Sequence, residues 1–221
     1  IERTRKWIIG MQSKNGGWGA FDIDNVHYSL NSIPFADHGA LLDPPTADVS
    51  ARCLSFLKQL NNPRDKNCIE RATNYLLSEQ EKDGSWFGRW GTNYIYGTWS
   101  VLSALNLVEF KNKKAVFDKA INYLKSNQRN DGGWGEDGKS YYKNFENFSK
   151  KSTPSQTSWA IMGLLAAGQI NSPEVEKGMK YLTNKDTKFQ EDHYTAVGFP
   201  KVFYLKYHGY AEYFPLLAIS K

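Results

Sequence analysis

The stretch that decides the fold is Tyr123-Leu124-Lys125-Ser126-Asn127-Gln128-Arg129-Asn130-Asp131-Gly132-Gly133-Trp134. An aromatic residue precedes Leu, a Gln follows the aromatic by five positions, and a Trp follows it by eleven. The same spacing recurs at Trp7-Ile8, Gln12 and Trp18, and at Tyr75-Leu76, Gln80 and Trp86. A Gly directly precedes the Trp in two copies, as Gly17 and Gly133; in the middle copy Ser85 intervenes after Gly84. The copies start 68 and then 48 residues apart, so the unit is kept while the connections vary. A fourth copy begins at Lys177-Gly178 with Tyr181-Leu182 and then loses its Gln and Trp.

One unit has a direct physical reading. The aromatic-aliphatic pair belongs on the buried face near the end of a helix. The Asp-Gly or Gly-Gly pair ends that helix, because Gly tolerates the left-handed conformation found there. The Gln amide is suited to backbone groups left open at helix ends, and the Trp to packing over the turn. We read the units as structural staples.

Between the units lie more apolar segments. Ala47 to Leu60 follows Pro44-Pro45-Thr46, with Thr46 as an N-cap. Ile95 to Val108 follows a Trp/Gly/Tyr-rich stretch, and Pro154 to Ala167 opens with a Thr153 cap and Pro at the first helical position. Val202 to Ile219 reads as a last helix that Pro215 kinks or ends. These segments are apolar nearly all round, which predicts deeper burial than the repeat-bearing helices have. The chain thus alternates repeat helix and buried helix four times. The fold class expected is all-α, an incomplete α/α barrel with two concentric layers, and residues 1–221 read as one portion of such a barrel. Inner helices that all run the same way gather Asp43 to Asp48, Trp90 to Tyr96, Ser152 to Gln156, and Phe199 at one end, which points to a site there.

Composition narrows the function. Seven Trp, thirteen Tyr and twelve Phe make 14% of the 221 residues, more rings than packing requires. Two cysteines, Cys53 and Cys68, form neither a disulfide scaffold nor a zinc ribbon. The net charge of +5 is spread along the chain and does not imply nucleic acid. The longest uncharged apolar run, Trp159 to Ala167, is far short of the roughly 20 residues of a spanning helix. The chain opens at Ile1 inside an amphipathic run, so we read it as a fragment of a longer protein.

The repeats resemble the QW motifs of the triterpene cyclases. Gly16-Gly17-Trp18-Gly19-Ala20-Phe21-Asp22, Asp43-Pro44-Pro45, Gly84-Ser85-Trp86-Phe87-Gly88-Arg89-Trp90-Gly91 and Ser152-Thr153-Pro154-Ser155-Gln156-Thr157 are similar to segments of the bacterial squalene-hopene cyclases. The resemblance runs the length of the chain, through Gly198-Phe199-Pro200 and Phe203-Tyr204-Leu205. It implies the C-terminal part of a catalytic (α/α)6 barrel in an enzyme roughly three times this length. It also implies the chemistry: a carboxylic acid protonates a terminal alkene of squalene, and positive charge migrates along the folded polyene to give hopene or hopanol. Ring faces stabilise such charge by roughly 0.5–2 kcal/mol each in a dry cavity, and no metal or other cofactor takes part. A C35 terpene such as tetraprenyl-β-curcumene is the alternative substrate, and a non-catalytic repeat domain binding apolar ligands the alternative role. The toroid of the protein prenyltransferases is another alternative, with Asp48, Cys53 and His193 as zinc ligands, although their spacing resembles no zinc site.

The resemblance also assigns residues. It puts cavity aromatics at Phe21, Trp90, Phe199, Phe203, Tyr207 and Tyr210, with Tyr204 packed behind them. Tyr96 falls near the acid, where a hydroxyl relays its proton, and Phe35 falls at the constriction that admits substrate. Arg52 stands where the best-known hopene synthases carry the His that bonds the catalytic Asp; a permanent charge there favours the carboxylate anion and strengthens the acid. A salt bridge from Arg52 to Asp48 is the plainer reading. Asp43 and Asp48 orient the polar end of the site. The family's Asp-x-Asp-Asp acid motif does not occur in the sequence, and Asp22-Ile23-Asp24-Asn25 is a decoy that follows the first repeat Trp. The acid is expected about 25 residues upstream of Ile1, so the 221 residues alone are expected to be inactive. The degenerate fourth repeat, Tyr181 to His193, is expected to form a mobile or reshaped loop. Family members sit on the cytoplasmic face of the cell membrane. The helix that inserts there is not expected in this soluble portion, whose uncovered lining helices invite self-association.

Overall fold

Apolar and amphipathic helices alternate along the chain, and the alternation sets the architecture. The computed structural model describes residues 1–33, 42–142, 151–184, 191 and 193–221. Eight α-helices lie among them: α1 (Glu2–Gly10), α2 (Ala47–Leu60), α3 (Lys66–Ser78), α4 (Tyr94–Leu105), α5 (Lys113–Ser126), α6 (Pro154–Ala166), α7 (Pro173–Thr183) and α8 (Tyr210–Ile219). The even-numbered helices pack on one another in sequence, α2 on α4, α4 on α6 and α6 on α8. The odd-numbered helices α3, α5 and α7 pack outside them. This is an arc of two helical layers, an incomplete α/α toroid. No helix among the described residues is long and apolar enough to cross a membrane.

The repeats are staples with one geometry used three times. In each, the Gln amide donates to the carbonyl of its own turn and to a carbonyl in the first turn of the next outer helix. Gln12 reaches Gly16 and Cys68, both at 2.9 Å; Gln80 reaches Gly84 and Val116, both at 3.0 Å; Gln128 reaches Gly132 and Glu174, both at 2.8 Å. The indole N–H of Trp18, Trp86 and Trp134 donates to the carbonyls of Ile8, Leu76 and Leu124, each at 2.7 Å. The same tryptophans donate their backbone N–H to hydroxyls on the next inner helix: Ser50 at 2.8 Å, Thr98 at 3.1 Å and Thr157 at 2.9 Å. One unit therefore fastens its own helix to the following inner and outer helices, and leaves none of these buried polar groups unpaired.

The middle Gly of each turn is fixed by two requirements. Gly132 has φ +86°, and a Cβ there would lie 2.6 Å from the Lys177 carbonyl oxygen of α7. Gly16 and Gly84 stand in the same relation to Arg71 and Lys119. Elsewhere in the outer layer, Arg5 of α1 pairs with both oxygens of buried Asp65.

The start of α6 is as expected, with Thr153 accepting from the Gln156 N–H and Pro154 at the first helical position. Thr46 precedes α2 but makes no capping bond; its hydroxyl donates to Asp48 Oδ1 at 2.7 Å. The helix expected over Val202 to Ile219 is corrected. Residues 196–205 form an antiparallel hairpin, β1 (Ala196–Phe199) and β2 (Phe203–Leu205), and α8 begins only at Tyr210. The reason is the turn: Pro200 is followed by Lys201 at φ +69°, and Val202 N–H bonds the Phe199 carbonyl, a type II arrangement. Aromatic and β-branched residues on both sides then pair as strands.

Pro215 lies inside α8 and does not end it. Its missing bond is offset because Ala211, Pro215 and Ala218 form the buried stripe by which α8 packs on α6. Burial along the inner layer is uneven: α4 and α6 are enclosed, while α8 exposes Tyr213, Leu216, Leu217 and Ile219.

Candidate active site

The residues that precede the inner helices meet at one end of the arc, held by carboxylates of which Asp48, Glu136 and Glu191 are buried. Asp48, in the first turn of α2, accepts from the backbone N–H groups of Arg89 at 3.1 Å and Trp90 at 2.9 Å through Oδ2. Asp43 accepts from three successive N–H groups, Ala20 at 3.1 Å, Phe21 at 2.5 Å and Asp22 at 2.8 Å. Each carboxylate thus fixes the backbone that carries one expected cavity aromatic. Glu136 and Glu191, which sequence reasoning missed, do the same for the helix starts. Glu136 Oε1 accepts from Asn93 N–H at 3.1 Å and Ile95 N–H at 2.6 Å, and Glu191 accepts from Ser155 N–H at 2.9 Å. Burial lifts the Glu136 carboxyl above the usual carboxylate range, opposed by the N–H groups of Ile95, Asn93 and Tyr94. The one sequence clue to Glu136 is its place two residues after the repeat Trp134.

Gln156 joins these loops. Its Nε2 donates to the carbonyls of Thr92 at 2.9 Å and Glu136 at 2.7 Å, and its Oε1 accepts from the Glu136 N–H and the Thr153 hydroxyl. His193 Nε2 also lies 3.1 Å from that oxygen. The hairpin attaches through backbone bonds from Thr92 N–H to Thr195 and from Val197 N–H to Trp90.

The expected aromatics fall into two sets. In the first, Phe21 meets Trp90 edge-on at 5.9 Å, and Phe199 meets Phe203 edge-on at 5.2 Å. The Arg89 guanidinium joins the two pairs, lying 4.3 Å from the Trp90 ring centre and 5.5 Å from that of Phe199. Phe203 lies over Gly198, where a Cβ would come within 1.9 Å of its ring. Phe21 is 72% exposed and Phe203 43%, so this set is open to solvent. Tyr204, the next residue along β2, instead reaches Gly138, whose carbonyl accepts from its hydroxyl at 3.1 Å.

The second set lines the inner helices. Tyr96 lies 5.8 Å from Trp99 and 5.0 Å from Trp159, and the two indoles stack at 6.1 Å. Tyr210 packs edge-on against Trp159 at 6.0 Å and meets Tyr207 at 5.1 Å. Phe214 closes the cluster against Trp99 and Trp159. Trp99, Trp159 and Phe214 were missed because rings on an apolar helix read as core; their signal is the helical spacing from Tyr96, Gln156 and Tyr210. Loss of solvent pushes the Tyr96 hydroxyl up to about 12, with the Asp48 charge adding and Arg52 opposing, so it keeps its proton at neutral pH.

Arg52 does not pair with Asp48, so the salt bridge of the plainer reading is corrected. Both Asp48 oxygens are engaged by Thr46 and by the Arg89 and Trp90 backbone. Arg52 stacks 4.3 Å over Trp99 and donates to the Ser100 hydroxyl at 3.3 Å. Asp22 and Asp24 form a surface turn, Asp24 accepting from Lys14 N–H at 2.7 Å. Among the described residues no three His, Cys, Asp or Glu side chains come together as a metal site, so Asp48, Cys53 and His193 form no such set. Phe35 and most of the degenerate fourth repeat lie outside the described residues.

The two-layered helical arc is a fold found in another solved structure. An ent-copalyl diphosphate synthase from Streptomyces platensis superposes with a TM-score of 0.66 at 18% identity, covering 95% of this chain and 36% of that one. The chain belongs to the squalene-hopene cyclase family: residues 1–221 match the model of the squalene-hopene cyclase C-terminal domain. It is 58% identical to a squalene-hopene cyclase of Schizosaccharomyces japonicus over 100% of the chain and 34% of the relative. It is 53% identical to that of Zymomonas mobilis over 99% of the chain and 34% of the relative. The chain thus spans about a third of the length of these curated relatives.

Proposed function

We propose that residues 1–221 are the C-terminal portion of the catalytic barrel of a squalene-hopene cyclase, here called the parent enzyme, and supply its cation-stabilising wall. The observation that carries this reading is the ring set Phe21, Trp90, Phe199 and Phe203. It is gathered at the end of the inner helices and continued along them by Tyr96, Tyr210 and their neighbours. In the proposed reaction an acid outside these residues gives its proton to a terminal alkene carbon of squalene. Each successive alkene then donates its π pair to the carbocation behind it, closing a ring and moving the charge onward. Loss of a proton ends the sequence as hopene, and capture of water ends it as hopanol.

Ring faces suit this task because they attract a cation without acting as nucleophiles. Their value lies in being fixed before charge develops. Asp43 and Asp48 accept N–H bonds at Phe21 and Trp90, so they act on the chemistry by holding those rings. Tyr96, with its proton retained, is suited to relaying one toward the acid. Arg52, stacked on Trp99, presents a permanent cation one helical turn from Asp48, which favours the anionic form of a nearby acid. Tyr207 extends the wall at its exposed edge. No metal or cofactor enters the scheme. The parent enzyme is proposed to work at the cytoplasmic face of a membrane, where the oily substrate is dissolved.

The reading is tested by offering squalene and tetraprenyl-β-curcumene separately to the purified parent enzyme and to the 221-residue chain. Hopene or hopanol from squalene with the parent, and no cyclised product with the chain alone, is the expected result. Failure of the parent to cyclise squalene overturns the function, and hopene from the chain alone overturns the assignment of the acid to a segment outside it.

A further inference from the structure

We infer that Arg89 is a positioning residue that holds the planes of Trp90 and Phe199 in one wall; this rests on the cation-stabilising role proposed above. Trp90 precedes α4 and Phe199 ends β1, so more than a hundred residues separate two rings that must share a surface. The backbone ladder between residues 90–92 and 195–197 brings the two segments together, but it stops short of Phe199. Nor does a ladder fix the tilt of a side chain.

Arg89 spans that gap with three contacts. Its guanidinium lies over the Trp90 ring at 4.3 Å and over the Phe199 ring at 5.5 Å, and Nη1 donates to the Gly198 carbonyl at 2.9 Å. Its own N–H is held by Asp48 Oδ2 at 3.1 Å. Arg suits this place because its charge is spread over a rigid plane that stacks on aromatic faces while its edge still donates. A Lys would bring a compact charge and no plane. The charge itself has nearby compensation from Asp48 and Asp43. Arg89 thus takes up one face of the Trp90 ring and one of the Phe199 ring and fixes the tilt of both.

The test uses the full-length parent enzyme with Arg89→Met and Arg89→Lys. Arg89→Met keeps the length and apolar volume of the side chain and loses its plane and donors. With the rings free to tilt, kcat on squalene is expected to fall about ten- to a hundredfold, as for other small misplacements of catalytic surroundings. KM and the thermal midpoint are expected to stay close to wild type, and partly cyclised products to rise. Arg89→Lys is expected to behave like Arg89→Met, since charge alone does not restore the clamp. Unchanged products and kcat in Arg89→Met overturn the proposal. So does a loss of activity that only follows a lowered thermal midpoint with the product ratio intact.

A second readout does not depend on the reaction. With fluorotryptophan incorporated and the Trp90 signal assigned by Trp90→Phe, that resonance is expected to shift and broaden in Arg89→Met. An identical Trp90 signal in both proteins contradicts the clamp. Inability of the wild-type parent to cyclise squalene would overturn the proposed function and leave the clamp to be judged by this signal.

Discussion

The helix units α1, α3 and α5 end in a Gln-Trp staple, while α7 does not, and the two regions solve one problem differently. In the stapled units a few residues of local sequence pair carbonyls at the helix end and its turn, and reach forward to both neighbouring helices. After α7 the sequence carries neither the Gln nor the Trp of the unit. The hairpin, Glu191 and Lys206 take over, with Lys206 Nζ donating to the Glu191 carbonyl at 2.9 Å. Staples fix the spacing of helices whatever the loop between them. The hairpin instead delivers Phe199 and Phe203 to the site. The unit without a staple is the one followed by a hairpin, which sets Phe199 edge-on against Phe203.

The largest test of this contrast removes a staple. Trp134→Ala is expected to destabilise the chain by about 3–5 kcal/mol, as for other fully buried aromatics. Tyr204→Phe, which deletes a hydroxyl in the hairpin region, is expected to cost only about 1 kcal/mol. Urea unfolding of both variants checks the ratio, and equal losses would erase the distinction between the regions.

A smaller pair isolates the glycines. Gly132→Ala meets both a positive φ and the Lys177 carbonyl, whereas Gly168, at φ +75°, has open space around it. Strain alone predicts about 1–2 kcal/mol for Gly168→Ala, and the close contact is expected to make Gly132→Ala clearly worse. Comparable midpoints would show that the approach of α7 to the turn is not tight.

The smallest effects are in pH dependence and differ in sign. The Glu136 carboxyl is raised above its ordinary 4.5 by burial, so its stabilising contribution is full below that value and is lost as pH rises through the shifted one. The His193 ring is lowered from its ordinary 6.5 by burial; its contribution is full above 6.5 and is lost as pH falls through the shifted value. Glu136→Gln is therefore expected to flatten the decline with rising pH, and His193→Gln the decline on acidification. Unfolding midpoints measured across pH 4–8 separate the two, and unchanged slopes contradict both assignments.

The staples were legible because everything in them is local: Gln128, Gly132 and Trp134 lie within one helix end and its turn. Their hydroxyl partners Ser50, Thr98 and Thr157 were not, since the connections to them have different lengths and a lone hydroxyl on an apolar helix carries no pattern. The inner helices α2 and α6 were bounded well by Pro and Thr signals. The hairpin was misread because Val202 to Leu205 is as apolar as a buried helix, and only Pro200-Lys201 marks the turn. Phe21, Trp90, Phe199 and Phe203 carry no local sign of a shared surface; the common direction of the inner helices pointed to Trp90 and Phe199, and the family resemblance added Phe21 and Phe203. Glu136 and Glu191 went unread because a buried carboxylate is defined by the helix starts that surround it.

The central claim is that the gathered rings steady a travelling positive charge, and product analysis of the parent enzyme carrying Phe199→Ala with squalene tests it most directly. Continued consumption of squalene with partly cyclised hydrocarbons replacing hopene is the result this account expects. Hopene formed at the wild-type rate and in the wild-type proportion would contradict it.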